Sequence, residues 1–234
     1  MKKTAITALL ALLTICHISA TGLRHYELRV SDFTELKVIE GLNVDYHTSA
    51  DSAGLVVFDT TPELASVIML SSGSGKLSLQ LSTDGIEYHS LPTITVYSSR
   101  LDKVENSGDS LVRVYSPVCG DKFSAKVVGN GTLAVHDVNT TQVNASLLTG
   151  HGQLTIFGTC VKASLKLTGT GTVQADGLRA TEASCKIFGT GTIGCHATDK
   201  VSLFGAGTGT LYYTGNPATV TSRGLGLHLV DMNE

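Results

Sequence analysis

The chain has 234 residues, with 17 lysines and arginines against 20 aspartates and glutamates and a formal net charge of −3. That balance offers no large cationic footprint for nucleic acid. The length suits one large β domain or two smaller ones.

Residues 1–20 read as a secretory signal peptide: a basic start at Lys2-Lys3, an apolar run from Ala5 to Ile15, and a cleavage site at Ala20. The run falls short of the roughly 20 apolar residues that span a bilayer. A rival reading lipidates Cys16, but bulky Ile15 stands where bacterial lipoprotein signals want a small residue. The expected location is the periplasm or the cell surface. Cleavage removes two lysines, leaving 15 basic against 20 acidic residues and a net charge of −5. No later segment is long and apolar enough for a membrane helix, and no terminal β-barrel pattern is visible.

An N-terminal β region, 21–106, shows strands without a short period. Alternation predicts them at Glu35–Ile39, Leu42–His47, Leu55–Phe58, Lys76–Leu81 and Thr93–Tyr97, with turns at Ser72-Gly73-Ser74-Gly75 and Asp84-Gly85. Thr61-Pro62-Glu63 with the run Leu64–Leu70 predicts one short helix, N-capped by Thr61. These strands are expected to join the stack described next or to cap its end.

Residues 107–234 repeat a glycine phrase about every twenty residues: Gly129-Asn130-Gly131, Gly150-His151-Gly152, Gly169-Thr170-Gly171 and Gly189-Thr190-Gly191. Ser107-Gly108-Asp109-Ser110 is a degenerate forerunner. The last copy reads as Gly205-Ala206-Gly207, though Gly207-Thr208-Gly209 fits as well. A period of that length with strands between turns indicates a solenoid. After each turn the apolar residues alternate: Leu133 and Val135, Leu154 and Ile156, Val173 and Ala175, Ile193 and Cys195. A second strand per coil places Leu165, Cys185 and Val201 in one inward column and Leu167, Ile187 and Leu203 in the next. Glycine recurs at the turn because a positive φ costs it nothing and because coils approach closely there. The predicted architecture is all-β, a right-handed parallel β-helix or β-solenoid.

Three segments, taken in order, resemble the bacterial auto-transporter adhesin family with a head GIN domain: Phe33-Thr34-Glu35-Leu36-Lys37-Val38, Val96-Tyr97-Ser98-Ser99-Arg100-Leu101-Asp102-Lys103-Val104, and the glycine repeats. The resemblance covers about Phe33 to Val230. It implies an exported β-helical protein with an adhesive role and no family active-site residues. The family's usual Gly-Ser-Gly turns are here mostly Gly-Thr-Gly, and both hydroxyl residues suit the turn.

Parallel β-helices also host polysaccharide lyases and hydrolases, which need clustered carboxylates. Eight acids lie between Asp109 and Glu234, and only Asp137 and Asp176 approach a common face. They stand two coils apart, roughly 10 Å at about 4.8 Å per strand. His136 and His196 hold the same place in their coils, with Phe157 and Asp176 between them, and are expected roughly 14 Å apart, too far to share a metal. Each, like the turn residue His151, reads as an isolated surface histidine. Cys185 and Cys195 read as small core residues and Cys119 and Cys160 as corner residues; the spacing leaves open whether any of the four forms a disulfide. The glycine phrases lack the Lys-Ser/Thr of a phosphate loop.

What remains is the outer surface. Thr132, Gln153, Thr172 and Thr192 form an outward column beside the turn. Lys126, Lys166 and Lys186 form a basic stripe on the second strand, and Phe157, Tyr212 and Tyr213 add aromatic area. The expected function is that of an exported, non-enzymatic adhesin or recognition protein without cofactor or metal, its partner a glycan or protein ligand. The alternatives are a carbohydrate-active enzyme and a purely structural envelope protein.

Overall fold

The computed structural model describes residues 22–82 and 90–233. The expected signal peptide, Cys16, the expected Asp84-Gly85 turn and Glu234 therefore lie outside the described residues. No described helix is long and apolar enough to cross a membrane.

The N-terminal region forms β1 (Arg24–Arg29), β2 (Glu35–Ile39), β3 (Asn43–Thr48), β4 (Leu55–Thr60), α1 (Pro62–Ala65), β5 (Ile68–Gly73), β6 (Lys76–Leu81), β7 (Thr93–Ser98), β8 (Lys103–Ser107) and β9 (Leu111–Tyr115). The repeats form β10 (Lys122–Val128), β11 (Thr132–Leu148), β12 (Gln153–Gly169), β13 (Thr172–Gly189), β14 (Thr192–Gly207), β15 (Thr210–Thr214), β16 (Thr219–Leu225) and β17 (His228–Asp231). Strands β11 to β14 bend through the corner, so each contributes to two sheets. One sheet holds the strands that follow a glycine turn and the other those that precede it. The solenoid makes about six turns with coils of about 20 residues.

The alternation that predicts the strands also fills the interior. Leu133, Leu154, Val173, Ile193 and Leu211 stack in one column of the post-turn sheet, all buried. Val127, Leu147, Leu167 and Ile187 stack opposite them in the pre-turn sheet. Each such side chain contributes about 1.5–3 kcal/mol by leaving water. One hydrophobic cluster runs without interruption from Leu28 to Leu211.

Asn106 is the polar exception in the pre-turn column, wholly buried below Val127. Its Nδ2 donates to the carbonyls of Ser110 (2.8 Å) and Thr132 (3.0 Å), and its Oδ1 accepts from the Gly108 amide (3.2 Å). The buried amide thereby has partners for both its oxygen and its nitrogen, and it ties the Ser107–Ser110 turn to the coil above.

The two glycines of each phrase serve different needs. The first, Gly169 (φ 119°) or Gly189 (φ 135°), takes a left-handed conformation. The second has an ordinary φ but no room. A Cβ on Gly171 would overlap the carbonyl oxygen of Gly152, and one on Gly191 would overlap that of Gly171. The same carbonyls accept the next coil's amides, Thr172 N–H to Gly152 O at 3.0 Å and Thr192 N–H to Gly171 O at 3.1 Å.

Register corrects the sequence reading of the last repeat. Gly189 pairs with Gly207, so Gly207-Thr208-Gly209 is the turn and Gly205 lies inside the strand. The inward columns shift accordingly: Val201 stacks on Ala183, Leu203 on Cys185, and Gly205 on Ile187. The sequence placed Val201 and Leu203 two residues out because it took the earlier of two overlapping glycine phrases.

The N-terminal strands both join the stack and cap it, in an order the chain does not follow. The coil β2–β3 lies between the later coils β6–β7 and β8–β9, all parallel. The end is then closed by antiparallel strands: β4 on β7, β1 on β4, and β5 on β6. Helix α1 has its predicted cap, Thr61 Oγ1 accepting from Leu64 N–H, but it stops at Ala65. Ile68–Leu70, read as its continuation, instead opens strand β5 (Ile68–Gly73), because the terminal coil needs a pairing partner. At the other end β16 and β17 carry no further strand among the described residues, and every residue of β16 is exposed.

An ion cluster ties three coils together. Glu105 on β8 accepts from Lys37 on β2 (3.2 Å) and from Lys126 on β10 (3.2 Å), and Ser107 Oγ donates to it at 2.7 Å. Burial pushes its carboxyl up, but the bonds from Ser107, Lys37 and Lys126 outweigh that and hold the pKa at about 2.

Two outcomes are expected. Gly191→Ala lowers unfolding stability by about 1–3 kcal/mol in urea titration, whereas Thr190→Ala, exposed at the turn tip, changes it by less than about 0.5 kcal/mol. Because the Glu105 pKa is lowered on folding, its stabilisation is complete above the unfolded carboxyl value and disappears as pH falls toward 2. Glu105→Gln therefore costs about 1–2 kcal/mol at pH 7, and denaturation curves of the two proteins converge near pH 2.

Candidate functional site: the two outer faces

Period-two strands send every second side chain outward, and parallel register stacks these into columns about 4.8 Å apart per coil. On the post-turn sheet, Thr132, Gln153, Thr172, Thr192 and Thr210 form one column, as the sequence predicts. In the next column Asp45 receives a two-pronged contact from Arg113, at 2.6 and 2.8 Å. Further along, Gln174 Oε1 accepts from Gln153 Nε2 and Thr155 Oγ1, both at 3.0 Å. These side chains bond across coils to one another.

A third column on this face holds a ladder of rings: Tyr97, His47, Tyr115, His136 and Phe157. Their centroids are 4.8–5.7 Å apart and their planes lie within 10–27° of parallel. Phe157 ends the ladder over Gly177, where a Cβ would overlap its ring. His136, read from sequence as isolated, is thus sandwiched between Tyr115 and Phe157. The signal was present, since Tyr115, His136 and Phe157 are spaced by 21 residues. Tyr97 and His47 join only through the out-of-order coils. Because the faces are spent on one another, the ladder offers ligands mainly ring edges.

The pre-turn sheet differs. Its middle column carries Ser124, Asn144, Ser164, Ser184, Ser202 and Thr221, all short and polar. On one side lie Gln142, Lys162, Glu182 and Lys200; on the other lie Lys126, Ser146, Lys166, Lys186 and Phe204. The stripe of Lys126, Lys166 and Lys186 read from sequence is therefore real, with Ser146 between the first two. Lys126 is matched by Glu105, and Lys162 approaches Glu182 at 4.0 Å. Among the described residues, Lys166, Lys186 and Lys200 have no ion-pair partner. A hollow of about 330 Å³ lies between the serine column and the Gln142–Lys200 column, lined by Ser164, Ser184 and Ser202 together with Lys162, Glu182 and Lys200. Phe188 and Phe204 meet edge to face (6.1 Å) on the Lys186 side of the serine column, both exposed.

The other singled-out residues stay apart. Asp137 sits in a bulge of β11 with φ 58° and accepts from Ser116 Oγ at 3.2 Å; Asp176 lies on β13, with β12 between them. His196 is not in line with His136 through Asp176. Extra residues at the β13 corner place Arg179 opposite it, and its Nδ1 meets Thr214 Oγ1 at 3.1 Å. No group of three metal-ligating side chains occurs among the described residues. Tyr212 is exposed as predicted, whereas Tyr213 packs partly against the core and donates to Asp231 at 2.9 Å.

Cys119, Cys160, Cys185 and Cys195 are free thiols. Cys185 and Cys195 are buried as expected, and the contact with Cys195, together with burial, raises the Cys185 thiol well above its ordinary value. Burial pushes Cys160 to about 11 and Cys119 upward. With their thiolates so disfavoured, Cys119, Cys160 and Cys185 are not poised nucleophiles.

A profile for the family described as "Putative auto-transporter adhesin, head GIN domain" matches residues 32–217. The fold is similar to that of a putative adhesin from Bacteroides fragilis NCTC 9343, with TM-score 0.78, 22% identity, and coverage of 91% of this chain and 97% of that one. A putative adhesin from Parabacteroides merdae ATCC 43184 matches with TM-score 0.69, 20% identity, and coverage of 92% and 99%. A protein described as a putative lipid binding protein from Parabacteroides distasonis ATCC 8503 matches with TM-score 0.65, 18% identity, and coverage of 90% and 98%. No curated protein matches the sequence.

Proposed function

Since the chain belongs to the head GIN domain family of auto-transporter adhesins, we propose that it is an exported, non-enzymatic recognition protein that holds a glycan or protein ligand against an outer sheet face. One observation carries this reading. The outward side chains are in register from coil to coil, so the sheets offer flat periodic rows of hydroxyl, amide and ammonium groups. Such rows suit an extended partner held by many weak contacts, whereas turnover requires a few groups converging on one bond.

The enzyme alternative draws no support from Asp137 and Asp176. A strand lies between them, and an inverting glycosidase pair stands about 6.5–9.5 Å apart. The lipid-binding description of one structural relative fits this chain poorly if it means an enclosed acyl chain. Among the described residues the interior is filled by side chains, so a lipid would meet the outer surface there.

The test is binding of the mature chain to intact cells, matrix proteins and a polysaccharide panel, with reducing-sugar and unsaturated-product assays run in parallel. Saturable binding without product is expected, unchanged by Asp137→Ala or Asp176→Ala. Product formation lost in either variant would establish an enzyme instead. Absence of any ligand, with only envelope defects on deletion, would establish a structural role.

A further inference from the structure

We propose that the serine-floored trough of the pre-turn sheet is the ligand groove, and that it takes an extended acidic polysaccharide lying along the solenoid axis. This rests on the recognition reading above and adds the site and the ligand's chemistry.

Charge is the first argument. Lys162, Lys166, Lys186 and Lys200 flank the trough against one carboxylate, Glu182, a local excess of three positive charges. The chain as a whole carries −3, so this strip opposes the overall balance. Among the described residues, three of the four lysines have no ion pair to give up on binding. Their ammonium groups are exposed, and only partial desolvation attends contact with a carboxylate or sulfate.

Spacing is the second. Ser164, Ser184 and Ser202 repeat once per coil, at about 4.8 Å. A sugar in an extended chain advances by a similar distance, so successive hydroxyls meet successive serines in one register. The lysines do not repeat at every coil on either side, which matches a polymer whose acidic groups are interspersed with neutral ones.

The aromatic flank of the serine column is the third. Phe204 follows Lys186 in its column and is 54% exposed, with Phe188 beside it. Unlike the rings of the ladder on the opposite sheet, this edge-to-face pair leaves ring face open to the apolar side of a pyranose. Single-stranded nucleic acid would need an aromatic platform for successive bases, and the trough floor has none.

The experiment measures binding of the mature chain to polygalacturonate, chondroitin sulfate, dextran and oligo-dT across a salt series. The expected result is saturable binding to polygalacturonate or chondroitin sulfate that weakens with salt, and none to dextran. Lys166→Glu/Lys186→Glu should weaken it about tenfold or more, while Gln153→Glu/Thr172→Glu, on the other sheet, should change it less than about twofold. Lys162→Gln/Lys200→Gln removes charge without adding any and should also weaken it. Equal loss in the trough and opposite-sheet variants, or preference for oligo-dT, would overturn the proposal. Binding to dextran, matrix protein or cells that the trough variants leave intact would remove the trough but keep the recognition function. Failure to bind every polymer, protein and cell would remove both.

Discussion

The structure depends on how closely one coil lies on the next at the turn. From Gly152 to Gly209 the second glycine of each phrase rests against the preceding coil's carbonyl oxygen, and that oxygen accepts an amide of the coil above. A side chain there would lift the coils apart and break the ladder on both sheets, since each turn joins them. Column register, filled interior and flat outer faces all follow from that contact. Hydrophobic burial provides most of the driving force, but it does not fix which residue lies over which.

Fixed register gives the two outer faces different characters. On the post-turn sheet, neighbouring groups satisfy one another: Arg113 holds Asp45, Gln174 collects two donors, and five rings stack face to face. On the pre-turn sheet, short serines separate lysines that have little to bind. A surface already bonded to itself has less to exchange with a ligand. The difference lies in which residues face one another across coils rather than in composition, since both faces are rich in hydroxyl groups.

The repeat made the solenoid, its inward columns and the lysine stripe legible in sequence, because period-two alternation and a constant coil length need no distant information. Two failures share one cause. Where coil length changes, register cannot be counted: the overlapping phrases Gly205-Ala206-Gly207 and Gly207-Thr208-Gly209 displaced Val201 and Leu203 by a column, and extra residues near Asp176 moved His196 out of line. The N-terminal coils were legible as strands but not as an order, since β2–β3 lies inside coils that come later in the chain. For that reason the ring ladder could be followed in sequence only from Tyr115 to Phe157. Strand β5 escaped because an apolar run behind a good helix cap favours continuing the helix, and only the terminal coil's need for a partner reverses that.

The two ends of the solenoid are unlike. One is sealed by antiparallel strands, while β16 and β17 leave the last coil without a further partner among the described residues. Duplicating or deleting a whole coil near that second end would shift the tip by about 4.8 Å and leave the seal untouched. Each added coil would also lengthen both outer faces by one row. Length, reach and the number of contacts to an extended partner are thus adjustable in whole steps by gene duplication alone, with the sealed end as the fixed origin of the scale.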